Sequence, residues 1–270
     1  MTTPSVPAPA HIEIDGVPAA DPDSLAALMS GYGHFTAMQV RDGGVKGLGL
    51  HLDRLDRATR ELFGAPLPGE RVRELLARAL GRSGRRDASA RVYVYERGSG
   101  FLAAVAVREA APDGLGAPQR LTAVDYLRPA AHLKHLGGFG QAYHGDAARR
   151  AGFDGALLTT PAGEVAEGAV ANIAFWDGTS LVWPTAPHLT GITMALLAPR
   201  LPSVHRPVVL DELAGFRAAF TANSRTIAPV TAVDGVTYPV DGPLMARVME
   251  AYAEVPDEKI VSGDGDGSAG

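Results

Sequence analysis

Apolar residues recur at two different periods along this chain, and their interleaving excludes most simple folds. Runs of period two, among them HIEI, HFTAMQV, RVYVY and LTAVD, read as short strands. The first turns at Asp15-Gly16, and the second returns after Asp42-Gly43. Within HFTAMQV, Phe35, Ala37 and Gln39 face one way, while His34, Thr36, Met38 and Val40 face the other. HLDRLDRATRELFG switches to helical spacing, with Leu52, Leu55, Thr59 and Leu62 on one stripe, Arg54 beside it and Gly64 as a stop. GERVRELLARALG continues as a second helix, and DPDSLAALMSGYG reads as a short one capped by Asp23 or Ser24. Further on, FGQAYHGDAARRAG forms a helix that Gly152 ends, and HLTGITMALLAPRL turns at Gly191-Ile192-Thr193 into another. GPLMARVMEAYAEV is a final helix capped by Asp241. The elements follow no strict βαβ alternation, no internal repeat and no dinucleotide glycine fingerprint, so the fold class is α+β.

The 270 residues are enough for two domains. An Ala/Pro/Gly-rich linker over 111–120 separates an N-terminal domain, 1–110, from a C-terminal one, 121–270. Residues 1–10 and 257–270 are polar or Pro/Ala-rich and are expected to be disordered. A net charge of -5 gives no support for a nucleic-acid partner. The absence of cysteine removes disulfides, thiolate metal sites and cysteine nucleophiles. No apolar run approaches the roughly 18 residues of a membrane span. The N-terminal MTTPSVPAPA lacks the regions of a signal peptide, so the expected location is the cytoplasm.

Three lysines stand beside 22 arginines, and of the three only Lys134 lies in a mainly apolar segment. By position alone it reads as a surface residue. Arginine, however, cannot lose its proton and attack a carbonyl, whereas a lysine in semi-apolar surroundings can. A Schiff-base enzyme that uses pyridoxal phosphate needs such an amine, a partner for the pyridine nitrogen and donors for the phosphate. Glu167, in EVAEGAVAN, can partner the nitrogen. Gly191, Ile192 and Thr193 offer backbone N–H groups at a helix start, Arg54 can add charge, and Asn223 and Ser224 further donors. His132 and His135 have the spacing of a metal pair, but no third ligand is near, so no metal site is expected.

Taken together, GHFTAMQVRDG, HLDRL, LKHL, EVAEGAVAN, LTGIT and TANSRTIAPV resemble the class IV aminotransferases, the fold-type-IV pyridoxal-phosphate enzymes. That family includes branched-chain and D-amino acid aminotransferases and aminodeoxychorismate lyase. The resemblance spans roughly Gly33 to Val240. It implies a smaller N-terminal α/β domain and a larger C-terminal mixed β domain with helices, usually as a homodimer. It also implies that Lys134 carries the cofactor as an internal aldimine and shuttles the proton, with Glu167 on the pyridine nitrogen. Arg54, Gly191, Ile192, Thr193, Ala222 and Asn223 would hold the phosphate, and His34, Thr36 and Tyr95 would line the substrate pocket. The implied reaction is amino transfer from a small amino donor to a 2-oxo acid.

Departures from the family pattern concern the substrate. D-amino acid enzymes carry an Arg-x-His pair after the strand matching RVYVYERG, where this chain has Gly98-Ser99-Gly100. Phe35-Thr36, Lys134-His135-Leu136 and Asn223-Ser224 are similar to aminodeoxychorismate lyase, which releases pyruvate and an aromatic amine. Gly137 replaces the usual asparagine, and Met194 stands where arginine is common. Two alternatives therefore stay open, a lyase and, less in keeping with Lys134, Glu167 and Arg54 together, a non-catalytic binding module.

Overall fold

The computed structural model describes residues 11–18, 31–97 and 100–261. The helix expected in DPDSLAALMSGYG lies mostly outside these residues, as do residues 1–10. By its internal contacts the chain divides into two units, Met1–Ala111 with Asp257–Gly270, and Pro112–Pro256.

In the first unit, β1 (His11–Ile14) and β2 (Val17–Pro18) form the hairpin at Asp15-Gly16. β3 (Gly33–Val40), β5 (Ala88–Arg97) and β6 (Gly100–Glu109) complete an antiparallel sheet of order β2-β1-β6-β5-β3. α1 (Leu48–Phe63) and α2 (Gly69–Ser83) supply Leu48, Leu52, Leu55, Val72, Leu75 and Leu76 to one core. Met38 and Val40 from β3, and Val92 and Val94 from β5, meet them there. The alternation of β3 is thus decided by burial: its His34-Thr36-Met38-Val40 face is completely buried and its other face is half-open. α1 stops at Gly64, whose φ of 67 is left-handed and carries no penalty without a Cβ.

One expectation fails in this unit. Polarity predicts disorder from Asp257 onward, yet Asp257–Lys259 forms β16 and pairs with β4 (Gly44–Lys46). Two contacts overrule the polarity. Glu258 Oε2 accepts from Gly49 N–H at 2.9 Å, and Ile260 is buried in the same core.

The second unit is built on one large mixed sheet. Its strands are β7 (Gln119–Asp125), β8 (Gly155–Thr159), β9 (Val165–Gly168), β10 (Asn172–Trp176), β11 (Leu181–Pro184), β12 (Ser203–Arg206), β13 (Ala218–Ala222) and β14 (Ile227–Val233). They lie in the order β12-β11-β10-β13-β14-β7-β8-β9, with β15 (Val236–Thr237) beside β14. β10 reads NIAFW and is buried on both faces. Ala174 and Trp176 pack with Trp183, Phe220 and helices α4 (Ile192–Leu197) and α5 (Gly242–Ala253). Ile173 and Phe175 pack the opposite way, with Val208, Leu213 and Phe216 from a 3-10 turn and its flanks. Asp241 caps α5 by accepting from Leu244 N–H. α3 (Phe139–Arg150) connects β7 to the parallel strand β8, which makes this stretch a βαβ crossover, and Lys134 lies within it. Among the described residues no helix is long and apolar enough to cross a membrane.

Candidate active site

Lys134 sits in the irregular connection between β7 and α3, half-buried between buried Leu133 and half-buried His135. This connection is held tightly. Ala130 is left-handed at φ 45, unusual for a residue with a Cβ, and Leu133 N–H closes the turn onto Ala130 O at 2.9 Å. Arg128, 5% exposed, donates from Nη1 to Leu133 O and from Nη2 to Ala131 O. Its Nε donates to Glu167 Oε1 at 3.1 Å. His135 Nε2 lies 2.8 Å from Pro129 O, and burial lowers the pKa of its ring below the ordinary value.

Glu167 projects from β9, whose four residues are all buried. Its second oxygen, Oε2, accepts from Leu189 N–H at 3.3 Å. Leu189 O in turn accepts from Asn172 Nδ2 at 2.7 Å, and Asn172 Oδ1 accepts from Gly191 N–H at 3.0 Å. Asn172 opens β10 opposite Ala222, the last residue of β13. Gly191 is demanded by closeness, since a Cβ there would collide with Asn172 Oδ1. Buried Ile192 and Thr193 begin α4, where N–H groups precede the first available helical carbonyl. Asn223 Oδ1 accepts from Arg225 and Thr226 N–H at 2.8 and 3.1 Å, and Nδ2 donates to Val170 O at 3.3 Å. The carboxylate, the α4 entrance and the Asn223 turn are therefore linked through bonds to Leu189, Asn172 and Val170. Arg128 joins the lysine loop to the carboxylate. Within this unit the sequence-selected residues Lys134, Glu167, Ala222, Asn223 and Gly191–Thr193 converge on one region of the sheet.

The remaining selected residues belong to the first unit. Arg54, on α1, donates from Nη2 to Thr36 Oγ1 at 2.5 Å and lies 3.4 Å from His51 Nδ1. Its Nε is buried with no hydrogen-bond partner, and among the described residues no carboxylate is within ion-pair distance. Burial, followed by the like charge of Arg57, pulls its pKa down to about 10. Thr36 Oγ1 is 2.6 Å from His51 Nδ1. Thr36 Oγ1 has lone pairs for both neighbours, so the direction of its bond with His51 Nδ1 follows the imidazole tautomer. His34 Nε2 lies 3.0 Å from Thr59 Oγ1, whose own proton goes to Leu55 O at 2.8 Å. His34 therefore donates from Nε2 and keeps a bare Nδ1, and burial with Arg54 nearby lowers its pKa to about 4.

His34 and Thr36, expected at a substrate pocket, thus lie within the first unit's own hydrogen-bond network. Both are 0% exposed and spend their polar atoms inside the unit, on Thr59, His51 and Arg54. The cause is the β3 alternation, which turns that face onto α1. Tyr95 is also buried, its ring 6.0 Å from that of Tyr93, and burial pushes its hydroxyl up to about 12. Sequence reasoning misses three residues: Arg128, Asn172 and His51. Asn172 carries a legible signal, as the one polar residue of an otherwise apolar strand. The other two look like ordinary surface-type side chains until the fold buries them.

Residues 33–233 match the family model for amino-transferase class IV. A fold IV-transaminase from Curtobacterium pusillum is 25% identical, covering 85% of this chain and 87% of its own, with a TM-score of 0.72. The branched-chain aminotransferase of the thermophilic archaeon Thermoproteus uzoniensis, with norvaline, is 22% identical over 90% of this chain and 93% of its own, with a TM-score of 0.77. A candidate 4-amino-4-deoxychorismate lyase from Legionella pneumophila is 19% identical over 85% and 93% of the two chains, with a TM-score of 0.77. Among curated proteins none matches the sequence.

Proposed function

The chain belongs to the class IV aminotransferase family, and from that premise we propose that it moves an amino group between a small amino donor and a 2-oxo acid. The family's enzymes use pyridoxal 5'-phosphate, whose ring withdraws electrons from the substrate carbon when bound. The residues present fit that group. Arg54 is a half-buried cation whose buried Nε–H is unused, with no carboxylate partner among the described residues, which suits a phosphate. Glu167 is a buried carboxylate whose oxygens keep lone pairs for a ring N–H.

In this reading Lys134 holds the cofactor through its amine and, once released, carries the proton at Nζ. Glu167 orients the ring nitrogen and favours its protonated form. The N–H groups of Ile192 and Thr193 bind phosphate oxygens, with Gly191, Ala222 and Asn223 shaping the turn ends around them. Thr36 and His51 aim the Arg54 guanidinium. On family grounds the active form is a cytoplasmic homodimer.

The observation that carries the reading is the Arg128-Glu167-Leu189-Asn172-Gly191 chain of bonds, which gathers lysine loop, carboxylate and helix entrance. Reconstituted protein should absorb near the visible–ultraviolet border, and borohydride should fix the cofactor on the Lys134 peptide. A donor screen should then yield a new amino acid in stoichiometric amount. A colourless protein that binds no pyridoxal phosphate overturns the reading. Phe35-Thr36 and Lys134-His135-Leu136 favour a second reading, a lyase. Pyruvate released from aminodeoxychorismate without an amino acceptor would select it.

A further inference from the structure

We infer that Arg128 is a positioning residue that locks the attachment lysine's loop and the ring-nitrogen carboxylate into one rigid piece; this rests on the functional reading above. All three guanidinium nitrogens are used, and each use bears on the site. Nε goes to Glu167, while Nη1 and Nη2 go to the carbonyls of Leu133 and Ala131, within the three residues before Lys134. An arginine that merely filled a polar hole could choose any carbonyls. Here the two lie in a turn that includes left-handed Ala130 and that Leu133 N–H closes onto Ala130 O. The imidazole of His135 binds Pro129 O on the other side of the same turn.

The pairing also sets what Glu167 can do. Arg128 takes a lone pair of Oε1 and Leu189 N–H one of Oε2, so the carboxylate is held in orientation from both oxygens. It is thereby an orienting partner for a ring N–H. A lysine at this position would bring one nitrogen in place of three, and its ammonium could not reach all three acceptors in plane.

The test compares wild type, Arg128→Lys, Glu167→Met and the double variant Arg128→Met with Glu167→Met, which replaces the buried pair by apolar groups. Apo protein is titrated with pyridoxal phosphate, the pH midpoint of the visible band is recorded, and amide exchange over residues 129–137 is followed in apo and loaded protein. Arg128→Lys should weaken cofactor affinity about ten- to a hundredfold, shift the band's pH midpoint and speed exchange before Lys134. Adding Arg128→Met to Glu167→Met should leave the midpoint where Glu167→Met puts it. An unchanged midpoint and unchanged exchange in Arg128→Lys overturn the inference. Should wild type form no band at all, the cofactor reading fails separately, and exchange in the apo protein still decides whether Arg128 clamps the loop.

Discussion

Replacing Arg54 with methionine should make the apoprotein more stable and the holoprotein much weaker, two effects that a routine core substitution does not combine. Arg54 keeps its charge in a half-buried place, and its pKa falls from 12.5 to about 10. At about 1.4 kcal/mol per unit this gives roughly 3 kcal/mol disfavouring the charged form in the folded state. The sign follows from linkage. The folded pKa is the lower one, so the cost is fully present at neutral pH and fades only as pH rises from about 10 toward the unfolded value. The residue keeps some exposure, and the bond from Nη2 to Thr36 contributes about 1 kcal/mol in return. The net gain on substitution is therefore about 1–2 kcal/mol, or about 4 °C in Tm for a chain of this size. Methionine keeps the apolar stem, and Thr36 keeps its bond to His51. Cofactor affinity, which loses a charged donor to phosphate, should fall at least about a hundredfold. Differential scanning calorimetry of apoprotein, with a cofactor titration beside it, reads both. A variant that melts below wild type, or binds pyridoxal phosphate within about threefold of it, refutes the reasoning.

His34, with a folded pKa of about 4 against 6.5 unfolded, must be protonated on unfolding in acid, so stability should fall by up to about 1.4 kcal/mol per pH unit between those values. Urea titrations at pH 7, 5.5 and 4.5 should show a shallower loss in His34→Gln; identical slopes would speak against a neutral His34. Ile260→Ala should cost about 3 kcal/mol, since the side chain is buried in the first unit's core, and deletion of residues 257–270 should cost more. An unaltered melting curve after that deletion would show β16 to be dispensable. Gly191→Ala should drive a Cβ into Asn172 Oδ1 and lower cofactor affinity, and Asn172→Ala in the same chain should relieve part of that loss. Strict additivity of the two would argue against the contact.

Much of the architecture was legible because local rules and burial agree along most of the chain. The period of two in Gly33–Val40 and the stop at Gly64 needed no tertiary information. The same holds for the Asp241 cap and the apolar run of β10. Lys134, Glu167 and Arg54 were singled out by the family resemblance, which residue chemistry alone suggested only weakly. Other features depended on what comes near in space. Polarity marked Asp257–Lys259 as a tail, yet a distant strand, β4, offers it open backbone groups, and the core beside it takes in Ile260. Period assigned His34 and Thr36 to one face, but only packing against α1 decides whether that face meets solvent, substrate or core. Arg128 is the sharpest case. Nothing local separates it from the other 21 arginines, because its role arises from three acceptors that chain folding brings around one guanidinium. The sequence alone determined the period of the elements and the kinds of reactive group available. Tertiary structure decided which groups lost water and which partners replaced it, since desolvation is a property of the assembled surroundings.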